Sequence, residues 1–165
     1  MVVREGAKLG QMFAGLGEGM ASRALTPEGD SFRGEGLSPG NHVLTILGEG
    51  VFVPQRTVEV IAGETREIAV EVLPAVAVNY EVAAPPRGST WNAMQLEVRD
   101  ASGRIVWRIA TLVVNTFPSQ SSVNLALGSY TFEARTDTGL VRGQAFEVEG
   151  VHHEPAPVRV DLHDC

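Results

Sequence analysis

The stretch LSPGNHVLTILGEGVFVPQRTVEVIAGETREIAVEV (residues 37–72) returns 88 positions later as LALGSYTFEARTDTGLVRGQAFEVEGVHHEPAPVRV (residues 125–160), and the two align without a gap. Leu37 falls on Leu125, Gly40 on Gly128, Val53 on Val141, Glu59 on Glu147, Val60 on Val148, Val70 on Val158 and Val72 on Val160. Leu44 on Phe132 and Val58 on Phe146 keep inward positions apolar. A fixed offset is the mark of a repeated supersecondary unit. Each copy reads as a turn, a strand, a loop, a strand, a Gly-containing turn and a closing strand, which is about half of a seven-stranded sandwich. The remaining strands of each copy are expected upstream of it.

Outward from the repeat, short β-branched runs alternate with period two between Gly and Pro breaks, and no segment keeps apolar residues at helical spacing. In REIAVEV (residues 66–72), Ile68, Val70 and Val72 share one face of a half-buried strand. The same period recurs at Val76-Val78-Tyr80-Val82, Met94-Leu96-Val98, Ile105-Trp107-Ile109 and Phe146-Val148. Asp100-Ala-Ser-Gly103 reads as a hairpin turn, with Gly103 free to take positive φ. Residues 1–36 offer only weaker strands at 7–13, 21–25 and 31–34. The fold class is all-β. It is expected as two tandem seven-stranded-type, Ig-like or transthyretin-like β-sandwiches spanning residues 1–74 and 75–165, with the boundary at Leu73-Pro74-Ala75.

Composition narrows function mostly by exclusion. The 165 residues carry a net charge of −7, and the Lys and Arg do not cluster, which argues against a nucleic-acid partner. The charge divides as −4 (6 basic, 10 acidic) for residues 1–74 and −3 (7 basic, 10 acidic) for residues 75–165. Cys165 is the single cysteine, so neither an internal disulfide nor a cysteine-based zinc site can form. No apolar run reaches the ~20 residues of a membrane span. The start MVVREGAKLGQMFAGLG lacks the charged-then-apolar order of a secretory signal.

The stretch DSFRGEGLSPGNHVLTILGEGVFVPQRTVEVIAGETREIAVEV (residues 30–72) resembles the carboxypeptidase regulatory-like domain, a transthyretin-like or prealbumin-like sandwich. The likeness lies in Phe32, Gly36-Leu37, Pro39-Gly40, the alternating strand, Ala62-Gly-Glu-Thr65 and the closing strand. The second copy keeps the Gly-x-Tyr-x-aromatic strand at Gly128, Tyr130 and Phe132. Two departures stand out: Glu28-Gly29-Asp30 replaces the usual Asp-Gly turn, and the family's opening strand would fall before Met1, leaving the first module truncated. The resemblance implies a non-catalytic accessory module of an extracytoplasmic protein, whether secreted, periplasmic or on the cell surface. Its partners would be neighbouring domains or envelope proteins, with carbohydrate as the alternative ligand. It implies no catalytic residue and no cofactor.

Several individual residues have both a structural and a functional reading. Tyr130 and His42 occupy the same place in the two copies, where a ring can anchor a corner by bonding nearby backbone. Trp91, in the turn-rich Pro85-Pro-Arg-Gly-Ser-Thr-Trp-Asn92, is the candidate for stacking a sugar ring, with Arg87 and Asn92 beside it. Its structural reading is a plug over one end of the sandwich. Trp107 reads as core. His152, His153 and Glu154 with His163, Asp164 and Cys165 hold metal-capable groups, but adjacent strand residues point apart, and loop histidines are the expectation. Gly15-Leu-Gly-Glu-Gly19 lacks the strand and helix that frame a phosphate loop and reads as irregular. Glu147 and Glu149 would share one solvated face rather than span a cleft. No set of residues has the spacing of a catalytic constellation, and the chain is expected not to be an enzyme.

Overall fold

A computed structural model of the chain describes residues 2–3, 12–17, 23–82, 93–112, 119–136, 141–150 and 158–160. Every regular element among them is a β-strand. The chain forms two compact units, residues 1–75 and 76–165.

In unit one, β1 (Val2–Val3), β2 (Met12–Leu16), β3 (Arg23–Ala24), β4 (Thr26–Glu28), β5 (Ser31–Arg33), β6 (Gly40–Gly48), β7 (Val51–Phe52), β8 (Arg56–Val60) and β9 (Glu71–Pro74) follow in order. They make a four-stranded sheet, β3-β2-β6-β8, a three-stranded sheet, β1-β9-β7, and the separate hairpin β4-β5. Alternation decides which side is buried. Ala14, Leu16, Leu44, Ile46 and Val58 turn inward from the larger sheet and meet Val51 and Val72 from the smaller one in a single core.

Unit two contains β10 (Val76–Val82), β11 (Ala93–Asp100), β12 (Ile105–Leu112), β13 (Ser119–Leu125), β14 (Gly128–Thr136), β15 (Val141–Val148) and β16 (Val158–Val160). Its sheets run β12-β11-β14-β15 and β13-β10-β16. The aromatic rings bridge them: Tyr80 of β10 lies 5.0 Å from Phe132 of β14 and 6.0 Å from Trp107 of β12, centroid to centroid. Trp107 thus packs against the core, but the alternation expected over Ile105-Trp107-Ile109 is broken by a bulge: Val98 pairs with Trp107 and Arg99 with Ile105, which leaves Val106 buried, and Ile109 is 41% exposed.

The repeat survives as hydrogen-bonded register. Gly40 pairs with Val60 and His42 with Val58 across β6 and β8, while Gly128 pairs with Val148 and Tyr130 with Phe146 across β14 and β15. Both pairs of pairs are related by the shift of 88 seen in the sequence. Upstream the shift is smaller. Leu16 pairs with Leu44 and Val98 with Phe132, so Leu16 corresponds to Val98 (98 − 16 = 82). Val3 pairs in parallel with Val72 as Val82 does with Val160, giving 82 − 3 = 79.

Three expectations are corrected. The opening strand of the first module does not fall before Met1, because β1 at Val2–Val3 takes the place that β10 holds in unit two. What unit one lacks among the described residues is a counterpart of β13. The corresponding stretch, residues 31–37, contains β5, which folds back on β4 because Gly29 takes φ +58° and Ser31 Oγ donates to Glu28 O at 2.9 Å. The closing strand begins at Glu71 rather than at Arg66: Ile68 is exposed, and only Val70 and Val72 reach the core. The first weak strand lies at Met12–Leu16 rather than at residues 7–13, so Gly15 and Leu16 belong to a paired strand, with Leu16 in the core, and not to an irregular loop.

Candidate functional site

Among the described residues, the side-chain arrangements that bear on function lie at the corner of each unit, the turn after β11, and the outer face of the larger sheet in unit two. The corners come first because both copies have one. Tyr130 Oη donates to Ala126 O at 3.0 Å, and His42 Nε2 lies 2.8 Å from Ser38 O, the same distance of four residues back along the chain. The carbonyl can only accept, so His42 holds its proton on Nε2 in this contact. Glycine two residues before each ring makes the bend possible, Gly40 at φ +132° and Gly128 at φ +150°. A Cβ on Gly128 would come 3.6 Å from the Tyr130 ring. Burial, and then the Asp100 carboxylate, push the Tyr130 phenol up.

Asp100 organises the hairpin between β11 and β12. Its Oδ1 accepts from the Ser102 amide at 2.9 Å, the Arg104 amide at 3.1 Å and the Ser102 hydroxyl, and its Oδ2 accepts from Arg104 Nε at 3.1 Å. Gly103, at φ +82°, donates to Asp100 O at 2.8 Å. The Ser102 hydroxyl above all, then the backbone amides and the Arg104 charge, hold the Asp100 carboxyl below the usual carboxylate range. Beside this turn a groove of about 320 Å³ opens over Asp100, Ser129, Tyr130, Thr131, Phe146 and Glu147. Its carboxylates already have partners: Asp100 in its own turn, and Glu147 accepting from Ser129 Oγ at 3.1 Å.

The outer face of β12-β11-β14 carries an ion network that the sequence reading missed. Glu97 points away from the core yet is only 3% exposed. Its carboxylate accepts from Arg99 at 2.5 Å, Arg108 at 3.0 Å and Gln95 at 2.7 Å. Arg99 Nε also reaches Glu133 Oε2 at 3.2 Å, and Arg135 lies 3.6 Å from that oxygen. Gly143, opposite Glu133 on β15, leaves room for this: a Cβ there would sit 3.3 Å from Glu133 Cγ. Glu97 and Arg99 at spacing two announce a shared face, but Arg108 and Glu133 join them only through strand pairing. The network braces a sheet; its charges are turned on one another and none is aimed into a cavity.

Of the sequence candidates, Arg87, Trp91 and Asn92 lie outside the described residues, as do His152, His153, Glu154, His163, Asp164 and Cys165. Glu147 is exposed on β15, and Glu149 lies beyond the strand. Among the described residues, no group of three His, Cys, Asp or Glu side chains is placed to hold a metal ion, and no helix is long and apolar enough to cross a membrane.

Comparison with known proteins adds little. No family model and no curated protein matches the chain. Among solved structures it is similar to one described as "The Bacillus anthracis TIE protein", at 14% identity and a TM-score of 0.36 over 98% of this chain. The chain spans 32% of that protein's length in the structure.

Proposed function

We propose that the chain is a non-catalytic structural or protein-interaction segment of a bacterial envelope or secreted protein, built from two tandem Ig-like sandwiches of the carboxypeptidase regulatory-like, transthyretin-like type. The observation that carries this reading is the shared register at offset 88, together with the same corner bond in both copies. What the copies have in common is scaffold: paired strands, a bent glycine and a ring tied to the carbonyl four residues back. Apart from the exposed carboxylates Glu59 and Glu147, side chains able to do chemistry are not held in common. Glu97 answers to Gly15, Glu133 to Thr45 and Tyr130 to His42. A duplicated active site would keep its reactive groups and let the frame vary; here the reverse is found. Repetition of a frame lengthens a protein and multiplies the surfaces it presents.

The test is to label intact source cells with a membrane-impermeant amine- or carboxyl-reactive probe and recover the protein. Labelling from outside, with retention in the envelope or release to the medium, is expected. Recovery only from the cytoplasm would overturn the reading. A tryptophan-fluorescence titration with an oligosaccharide panel forms the second arm, and a saturable change would replace the structural role with carbohydrate binding.

A further inference from the structure

The outermost strand of a sheet carries main-chain donors and acceptors that its one neighbour does not use, and natural sheets blunt such edges with bulges, short strands or charge. In unit one, the edge strand β8 spans only five residues. In unit two, the register of the edge strand β12 breaks opposite Val98 and Arg99. The other edge of that sheet differs. Strand β15 pairs with β14 in unbroken register from Val141 to Val148, and among the described residues no strand lies on its far side. Beside its second half opens the groove of about 320 Å³, lined by Ala145, Phe146 and Glu147 of β15, Ser129 and Thr131 of β14, and Asp100 of the turn. Glu147 is exposed and accepts one hydroxyl, that of Ser129, and a carboxylate has room for further donors.

We infer that the Ala145–Glu147 edge of β15 and the groove beside it bind an extended segment of a partner protein, added as a strand that lays a lysine or arginine side chain toward the Glu147 carboxylate. The inference rests on the reading of the chain as a protein-interaction segment and gives the partner its chemistry. In strand addition, main-chain hydrogen bonds supply affinity and alternate side chains supply specificity. Ala145 and Glu147 lie two residues apart on one face of β15, so an added strand sets every second side chain beside them. Charge decides the occupant. The groove has two carboxylates, of which Arg104 pairs with Asp100 alone, in a unit of charge −3 and a chain of charge −7. A second copy would set its own Glu147 edge and its own seven negative charges against the first, and an acidic segment would meet the same repulsion. A basic segment is attracted. Phe146 is half-buried and Ala145 is small, which gives the stem of a long basic side chain an apolar floor while its charged end stays in water beside Glu147.

Amide NMR of the full chain, titrated with the acetylated and amidated peptide TVTRTVT and with its acidic counterpart TVTETVT, tests it. With TVTRTVT, saturable shifts are expected at Ala145, Phe146, Glu147 and Ser129, together with slowed hydrogen exchange along β15, and the affinity should fall as salt rises. TVTETVT should bind at least about tenfold more weakly. Glu147→Gln should weaken binding of TVTRTVT about fivefold or more. Glu59→Gln, which removes the same charge at the matching place in unit one, should leave binding unchanged. A thermal melt checks that each variant remains folded; should either unfold, the two peptides compared on the wild-type chain still decide. Equal binding of the two peptides overturns the inference, as do shifts confined to other strands, or no saturable shift up to millimolar TVTRTVT. So does free arginine amide that reproduces the shifts and the slowed exchange, which would leave a cation site with no added strand. The labelling of intact cells is independent of all these results, so failure of the edge site is distinguishable from failure of the proposed function.

Discussion

At the residue scale, the imidazole of His42 and the phenol of Tyr130 show two chemistries filling one structural role. Each ring folds back over a glycine and donates to a carbonyl four residues earlier. Tyr130→Phe removes that donor and should cost about 1 kcal/mol of unfolding free energy. His42→Tyr keeps a donor in place and should leave unit one unchanged or slightly more stable in urea titration; a clear loss would show that the imidazole is needed for something besides the corner. Asp100 gives a pH-dependent effect. Its folded pKa is depressed, so its contribution to stability is fully present above the unfolded value near 3.8 and is lost as pH falls through the folded value. Asp100→Asn should therefore lower stability at neutral pH and flatten the acid limb of the stability curve of unit two. Both features were legible in the sequence, because a Gly-x-Tyr strand and an Asp-x-x-Gly turn are local signals whose partners sit within four residues. Glu97 was not, since three of its neighbours in the network lie on other strands or depend on them.

At the scale of the elements, one cross-strand pair inside each core records a reciprocal exchange of volume. Ala14 faces Ile46 in unit one, and Leu96 faces Ala134 at the corresponding place in unit two. All four are buried. Ile46→Ala alone should cost about 2–5 kcal/mol through the cavity it leaves. Ala14→Leu alone overpacks the core and should cost about 1–3 kcal/mol. Together they rebuild the arrangement of unit two, and a double-mutant cycle should show the pair recovering most of the loss. Additive losses would mean that the two cores are packed differently around this pair. On the outer face, Glu97→Ala strips Arg99 and Arg108 of their shared partner and should cost about 2 kcal/mol, more than Glu133→Ala. Alternation made β10 and β11 of unit two readable, and in unit one β6 and β8 were readable because the offset of 88 holds without a gap. Those upstream were not, because the offset there is 82 and then 79, and a two-residue strand such as β1 has no period to detect.

At the scale of the whole molecule, each unit has its own core. Among the described residues, that of unit one draws on residues 12–72, and that of unit two is centred on Tyr80, Trp107 and Phe132. Residues 76–165 expressed alone should therefore unfold cooperatively, with the near-ultraviolet dichroism of the packed rings. Residues 1–75 should also fold, but melt lower, since a smaller unit buries a smaller share of its surface. An all-β chain with a division near Pro74 was evident from alternation and the repeat. The exposed apolar pair of unit one was not, because Phe13 and Leu47 become neighbours only once β2 and β6 pair. The stepped offset has a practical meaning as well. The step from 79 to 82 places three added residues of unit two between Val82 and Val98, and the step to 88 places six between Val98 and Leu125, while the pairs that flank them correspond. The span upstream of each corner is thus where this frame has taken up length: a foreign epitope or tag spliced into the exposed Glu28-Gly29-Asp30 turn between β4 and β5 should be carried without disturbing the two sheets of unit one, making the chain a ready display scaffold.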